Sequence, residues 1–246
     1  MKKPTKKPLY LLTCGILACL AHQAGAVTTW NLADDFSLAS NPNGAWSYQM
    51  ELDPSPDDTA YLLLSQNTVS ANTIWGTTFA NAPTMWTGTG GYWGIGRNDT
   101  GVTQTTAGMT WNPGEVLFHP RPDFDASGGR FVITWTAPVT MTIDVDWAYA
   151  KRMEAGLTGV GMDVLHESGG ANTYLRSFQN PEGATGTFDD LVMLAGDSLH
   201  FRFDNWGDAG GDITWADITM TQIPEPSSLA LFGLSALGLL ARRRRR

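Results

Sequence analysis

The side chains best suited to chemistry in this sequence are aromatic and acidic. Trp86, Tyr92 and Trp93 bracket the run Gly88-Thr89-Gly90-Gly91, and Trp206 sits inside the stretch from Asp204 to Asp212. A flat ring in a polar, glycine-rich loop can stand clear of a core and stack on the C–H face of a sugar. These four rings are the expected glycan platform; the competing arrangement has them plugging the ends of the fold. Asp204, Asp208 and Asp212 place hard oxygen donors on a glycine-rich loop, the donor type that Ca²⁺ requires. Their spacing departs from the EF-hand loop, and Asp and Gly are also ordinary turn residues. A structural Ca²⁺ is thus one expectation and a plain turn the other.

Signals for catalysis are few. Beyond the N-terminal stretch the histidines are His119, His166 and His200. His166-Glu167 opens like a metalloprotease HExxH, but Gly170 occupies the place of the second histidine. There is no G-x-S-x-G, and the two cysteines, Cys14 and Cys19, lie near the N-terminus, so the main body has no thiolate nucleophile. Glycoside hydrolysis needs only two carboxylates at a set separation, and no pair stands out. Asp144 and Asp146 share a strand face and read as a solvated face. The expectation is binding and not catalysis.

The elements that must position these residues are strands. Val139 to Tyr149 alternates apolar Val139, Met141, Ile143, Val145, Trp147 and Tyr149 with smaller or polar residues. Period-2 alternation over such a length predicts a strand with one buried face. Ser198 to Asp204 repeats the pattern, with Leu199, Phe201 and Phe203 expected inward and His200, Arg202 and Asp204 outward. Phe131-Ile133-Trp135 and Val160-Met162-Val164 are shorter cases. Ile213 and Trp215 share one parity and Ile218 and Met220 the other, which predicts a bulge near Ala216-Asp217. Turn clusters separate these runs, among them Asn41-Pro42-Asn43-Gly44 and Ser127-Gly128-Gly129. No segment of the body carries a sustained helical period. The fold class expected is all-β, an antiparallel two-sheet sandwich. Trp135, Trp147 and Trp215 are its expected core tryptophans.

The formal net charge of −8 hides a sharp division. Nine of the 16 basic residues are Lys2, Lys3, Lys6, Lys7 and Arg242 to Arg246, whereas all 24 acidic residues lie between Asp34 and Glu225. The stretch from Val27 to Pro226 therefore carries 7 positive against 24 negative charges, a net of −17. Such a surface repels phosphate, which excludes nucleic acid and anionic membrane as partners.

Both ends read as addresses. Residues 1–26 combine a basic start, an apolar run from Leu9 to Leu20 and the cleavage pattern Ala24-Gly25-Ala26, the marks of a secretory signal peptide. Residues 223–246 contain Pro224-Glu225-Pro226, an apolar run from Leu229 to Ala241, and five arginines, Arg242, Arg243, Arg244, Arg245 and Arg246. Thirteen helical residues rise about 20 Å, short of a bilayer's hydrocarbon core of roughly 30 Å. The arginines favour a cytoplasmic end, which leaves the acidic domain, residues 27–222, outside. This tail resembles the PEP-CTERM sorting signal of Gram-negative bacteria, a segment type also labelled as an ice-binding protein C-terminal domain. The resemblance implies signal peptidase and a membrane exosortase as partners during export, with a transient membrane helix. Delivery is then to the cell surface or an exopolysaccharide matrix. Such tails follow unrelated domains, so they set destination and not activity.

The body carries a second resemblance. His119-Pro120, Phe131 to Pro138, the Val139–Trp147 strand, Ala195-Gly196-Asp197 and the last strand, Asp212 to Met220, are similar to jelly-roll modules of bacterial exported proteins. Among these are carbohydrate-binding modules of the galactose-binding-like type. The resemblance implies a jelly-roll sandwich and a polysaccharide ligand. The alternative is a structural matrix protein of the biofilm, held by acidity and calcium bridging without a discrete ligand.

Overall fold

The computed structural model of the chain describes residues 27–51, 61–69, 73–74, 77–78, 84–87, 94–106, 109–120, 130–152, 160–179, 182–204 and 212–224. The signal segment 1–26, Glu225, Pro226, the apolar run 229–241 and Arg242 to Arg246 lie outside these residues. Among the described residues no helix is long and apolar enough to cross a membrane. The chain divides into Thr29–Gln222, which is the sandwich, and a unit made of the two terminal segments.

The strands are β1 (Thr29–Asn31), β2 (Trp46–Glu51), β3 (Tyr61–Leu63), β4 (Gln66–Val69), β5 (Thr73–Ile74), β6 (Thr77–Thr78), β7 (Thr84–Thr87), β8 (Gly94–Arg97) and β9 (Gln104–Thr106). They continue with β10 (Met109–Trp111), β11 (Val116–His119), β12 (Phe131–Thr136), β13 (Met141–Lys151), β14 (Gly161–Ser168), β15 (Ala171–Gln179), β16 (Gly183–Met193), β17 (Ser198–Asp204) and β18 (Thr214–Ile223). An eight-stranded sheet runs in the order β16-β13-β18-β11-β8-β7-β4, with β1 added to β18. A six-stranded sheet runs β15-β14-β17-β12-β2-β3. From β11 to β14 the chain changes sheet at every connection, and it does so again from β15 to β18. That path is a jelly-roll sandwich, antiparallel throughout.

Alternation explains the core. Along β13, Met141, Ile143, Val145, Trp147 and Tyr149 are buried and the intervening residues are not. The facing sheet supplies Phe131, Ile133, Trp135, Phe201 and Phe203, all buried. Rings interlock between the layers: Trp147 lies 4.7 Å from Phe178, Trp30 5.4 Å from Trp135, and Phe118 4.4 Å from Phe203. Val139, expected inward, is 54% exposed in the turn before β13.

The bulge expected at Ala216-Asp217 is absent. Burial alternates without a break along β18, with Thr214, Ala216, Ile218 and Met220 buried and Trp215, Asp217 and Thr219 less so. Trp215 points away from the main core because Met85, Met109, Trp111, Leu117 and Ile213 form a second apolar cluster on that side. Bulges lie instead in the edge strands, in β15 at Leu175 and in β16, where register shifts between Ile143 and Val145 of its neighbour. Asp190 takes up the extra residue at φ 55°, its amide donating to Asp144 Oδ1 at 3.0 Å. A bulge with acidic side chains on an unpaired edge discourages edge-to-edge association.

Candidate functional site

β17 is central to the six-stranded sheet, and its second face is where the sequence reading and the structure part. Leu199, Phe201 and Phe203 point inward as expected, yet His200 and Arg202 on the opposite side are also buried, at 4% and 0% exposure. Register decides their neighbours. Arg202 pairs with Val132 on β12 and with Asp163 on β14, and His200 pairs with Thr134 and Leu165.

A buried guanidinium must find anions, because leaving its charge unpaired costs several kcal/mol. Arg202 Nη1 donates to Glu51 Oε1 at 3.4 Å, and Nη2 donates to Asp163 Oδ2 at 3.3 Å and to Tyr174 Oη at 2.8 Å. Arg130 Nη1 donates to Glu51 Oε2 at 3.3 Å, and its Nη2 lies 3.9 Å from Asp163. Two arginines and two carboxylates thus alternate around one ring, with Glu51 only 1% exposed. Burial opposes the charge on Arg202, but Tyr61, Tyr174 and Glu51 outweigh it and hold its pKa above the ordinary arginine value. Tyr174 lies over the guanidinium with 5.3 Å between Cζ and the ring centre, while 45% of the tyrosine stays exposed.

Beside this ring lies a second group. His200 Nδ1 is 2.9 Å from Thr134 Oγ1, and His200 Nε2 is 3.0 Å from Glu167 Oε2. Thr134 Oγ1 is also 2.9 Å from the Gln49 side-chain carboxamide. The Tyr61 ring packs 4.9 Å from the imidazole. Burial lowers the His200 pKa, against the upward pull of Glu167. A neutral imidazole facing a carboxylate carries its proton on Nε2, which leaves Nδ1 an acceptor beside the Thr134 hydroxyl. Burial also raises the Tyr61 pKa to about 12. At the edge of the inner face, His166 Nε2 meets Asp197 Oδ2 at 3.2 Å. Burial acts to raise the Asp197 pKa, but the Leu194 amide, Ser168 and His166 outweigh it and hold it low.

Those expected site residues that are described fall elsewhere. Trp86 is buried at 6% in the main core, and its indole N–H donates to the Ser37 carbonyl at 2.8 Å. It closes the sandwich instead of offering a ring to solvent. Tyr92, Trp93, Trp206 and Asp208 lie outside the described residues. Asp204 ends β17 against Gly161, where a Cβ would come within 2.8 Å of Asp204 Oδ1, and Asp212 is fully buried before β18. Among the described residues, no group of three or more histidines, cysteines or acids is arranged to hold a metal ion. Pro224 follows the last strand. Asp146, expected on a solvated face, lines a cavity of about 300 Å³ on the eight-stranded sheet with Ala148, Thr187, Asp217 and Thr219.

Alternation marks Arg202 and His200 as sharing one face, but it does not tell water from a polar interior. Glu51, Tyr61, Asp163 and Tyr174 carry no local signal at all, since only strand pairing brings them together.

Residues 222–246 match the PEP-CTERM protein-sorting motif, which marks an exported chain sorted by an exosortase. No curated protein sequence matches the chain. Among solved structures, the chain is similar to the carbohydrate-binding module TmCBM61, solved with β-1,4-galactotriose, at 12% identity and a TM-score of 0.31. That match covers 65% of this chain and all of the module. A mutant of a family 29 carbohydrate-binding module matches at 11% identity and a TM-score of 0.28, over 72% of this chain and 92% of that one. The GH26-CBM35 mannanase of Podospora anserina matches at 14% identity and a TM-score of 0.27, over 82% of this chain and 29% of the enzyme.

Proposed function

We propose that the sandwich is a non-catalytic glycan-binding module, delivered to the cell surface or matrix, whose ligand is an exopolysaccharide. It binds at the polar face of the six-stranded sheet. The observation that carries this reading is the mounting of Tyr174. Its hydroxyl is bonded to a buried, charge-paired arginine while much of its ring is exposed. A ring fixed before the ligand arrives loses little entropy on stacking against a sugar. Asp163 and Glu167, half-buried beside it, are acceptors for sugar hydroxyls. A four-charge ring also adds little stability over an apolar filling of the same volume, which favours a role beyond folding.

The test is retention of Tyr174→Ala and Tyr174→Phe in affinity gels containing exopolysaccharide purified from the producing cells, with Asp146→Ala on the opposite sheet as control. Loss of the ring weakens retention roughly tenfold or more, as for a central aromatic contact. Tyr174→Phe keeps the ring and most of the retention, and the control matches the parent. Equal retention of Tyr174→Ala and parent would defeat the proposal.

The acidity of the body, net −17 between Val27 and Pro226, favours a second reading: a matrix protein held by calcium bridging and without a discrete ligand. It predicts association that follows salt and calcium and that no single substitution at Tyr174 removes.

A further inference from the structure

We infer that Thr134 and Gln49 are the two halves of an intramolecular ester cross-link between β12 and β2, formed with His200 as base and Glu167 as its positioning residue. This inference does not depend on the glycan reading.

Thr134 faces Ser47 across the β12–β2 ladder, which makes Gln49 its diagonal neighbour on the same face. Thr134 Oγ1 lies 2.9 Å from Gln49 Oε1, to which its hydroxyl donates, and 2.9 Å from His200 Nδ1. His200 in turn meets Glu167 at 3.0 Å. A hydroxyl, an imidazole and a carboxylate in series is the arrangement that activates an oxygen nucleophile. Here the hydroxyl is 3% exposed, so it faces no diffusing substrate. The acyl group it touches belongs to its own chain, the Gln49 carboxamide.

The step balances without an added reagent. The step begins when the Thr134 hydroxyl turns its proton from Gln49 Oε1 to His200 Nδ1, which frees an Oγ1 lone pair for the carboxamide carbon. As Oγ1 bonds to Cδ, the proton passes to Nδ1 and the C=O π pair moves onto Oε1. Collapse of the tetrahedral adduct restores the C=O and breaks the C–N bond. The departing amide nitrogen takes the proton back from Nδ1 and leaves as ammonia. Glu167 keeps Nε2–H oriented and stabilises the transient imidazolium. His200 is neutral before the step because burial lowers its pKa, which leaves Nδ1 free to accept. Thr134 and His200, at 3% and 4% exposure, keep water from one side of the product ester. The bond joins residues far apart in sequence and would lock the floor on which Tyr61 and Arg202 rest.

Mass spectrometry of the mature protein recovered from its own cells tests the inference. The expected mass is one ammonia, about 17 Da, below that of the processed chain, whose ends are read from its terminal peptides. Trypsin cuts after Arg97 and Arg130, so Gln49 and Thr134 fall in separate peptides unless joined. They should appear as one cross-linked species that hydroxylamine separates. Thr134→Val, similar in shape, should restore the full mass in a folded protein. Glu167→Gln should slow formation and change its pH profile, an effect that loss of mere packing would not produce. Full mass with two separate peptides after prolonged incubation near neutral pH overturns the inference. A deficit that maps elsewhere, such as a cyclised Asn43-Gly44, overturns it as well.

Discussion

Gly186 lies directly opposite Trp147 across the β13–β16 ladder, and a Cβ at position 186 would overlap the Trp147 Cζ2. The indole covers the space that any larger residue would need. It cannot retreat easily, because Phe178 packs 4.7 Å away and Tyr149 and Phe188 flank it. Overpacking of this kind costs about 1–3 kcal/mol. Gly186→Ala should therefore lower the urea midpoint, and pairing it with Trp147→Phe should recover part of the loss. An unchanged midpoint in Gly186→Ala would show that the indole has room to shift.

Glu51 holds two arginines at once, Arg130 and Arg202, from a site that is 1% exposed. Removing its carboxylate strands both positive charges in a low-dielectric setting. Breaking a buried ion pair from one side costs about 3–5 kcal/mol. Glu51→Ala should approach that range in chemical denaturation. Arg202→Met should cost less than Glu51→Ala, since its removal leaves Glu51 and Asp163 still facing Arg130. Equal, small effects from both substitutions would mean that solvent screens the ring.

Acid should weaken the fold through its buried histidines. His119 and His200 both have pKa values lowered by burial, partly offset by the Pro120 carbonyl and by Glu167 respectively. A depressed folded pKa means that the unfolded chain takes the proton first. The stability contributed by the neutral histidines is fully present above the unfolded value, about 6.5, and declines as pH falls from there toward the folded values. At the other extreme, Tyr61 is raised to about 12, so the unfolded chain loses that proton first and stability falls as pH rises above about 10. Denaturation midpoints measured across pH should form a plateau bounded by these two declines. His200→Gln should flatten the acid side, and an acid limb as steep as the parent's would assign the effect to other groups.

Local pattern reached as far as one strand at a time. The alternation of Met141 to Tyr149 is the alternation of burial along β13, and Ser198 to Asp204 spans β17. Edge strands β15 and β16 left a weaker trace, because their inward face is only half-buried, through Leu175, Phe178, Ala184, Phe188 and Leu191, and a register shift interrupts each. Trp215 suggested a bulge because its parity opposes that of Ile218, yet the strand is regular and the indole serves a separate cluster with Leu117. The polar face shows the same limit. Arg202 is bonded to residues 28, 39 and 151 positions away in sequence, and only register brings them together.

Trp86 separates the two meanings of an aromatic residue near a glycine-rich stretch. As an exposed platform it would tolerate truncation with little loss of stability and would lose ligand. Buried at 6%, with its indole N–H committed to Ser37, it should behave in the opposite way. Trp86→Ala removes a large core side chain, a change that typically costs about 3–5 kcal/mol. Trp86→Phe retains most of the volume but strands the Ser37 carbonyl, at about 1–3 kcal/mol. The folded fraction of Trp86→Phe should hold polysaccharide as well as the parent, whereas Tyr174→Ala should fold normally and lose it. Comparing melting temperature and gel retention for these variants places each ring by its behaviour. A Trp86→Phe protein of parental stability and poor retention would return Trp86 to the binding surface.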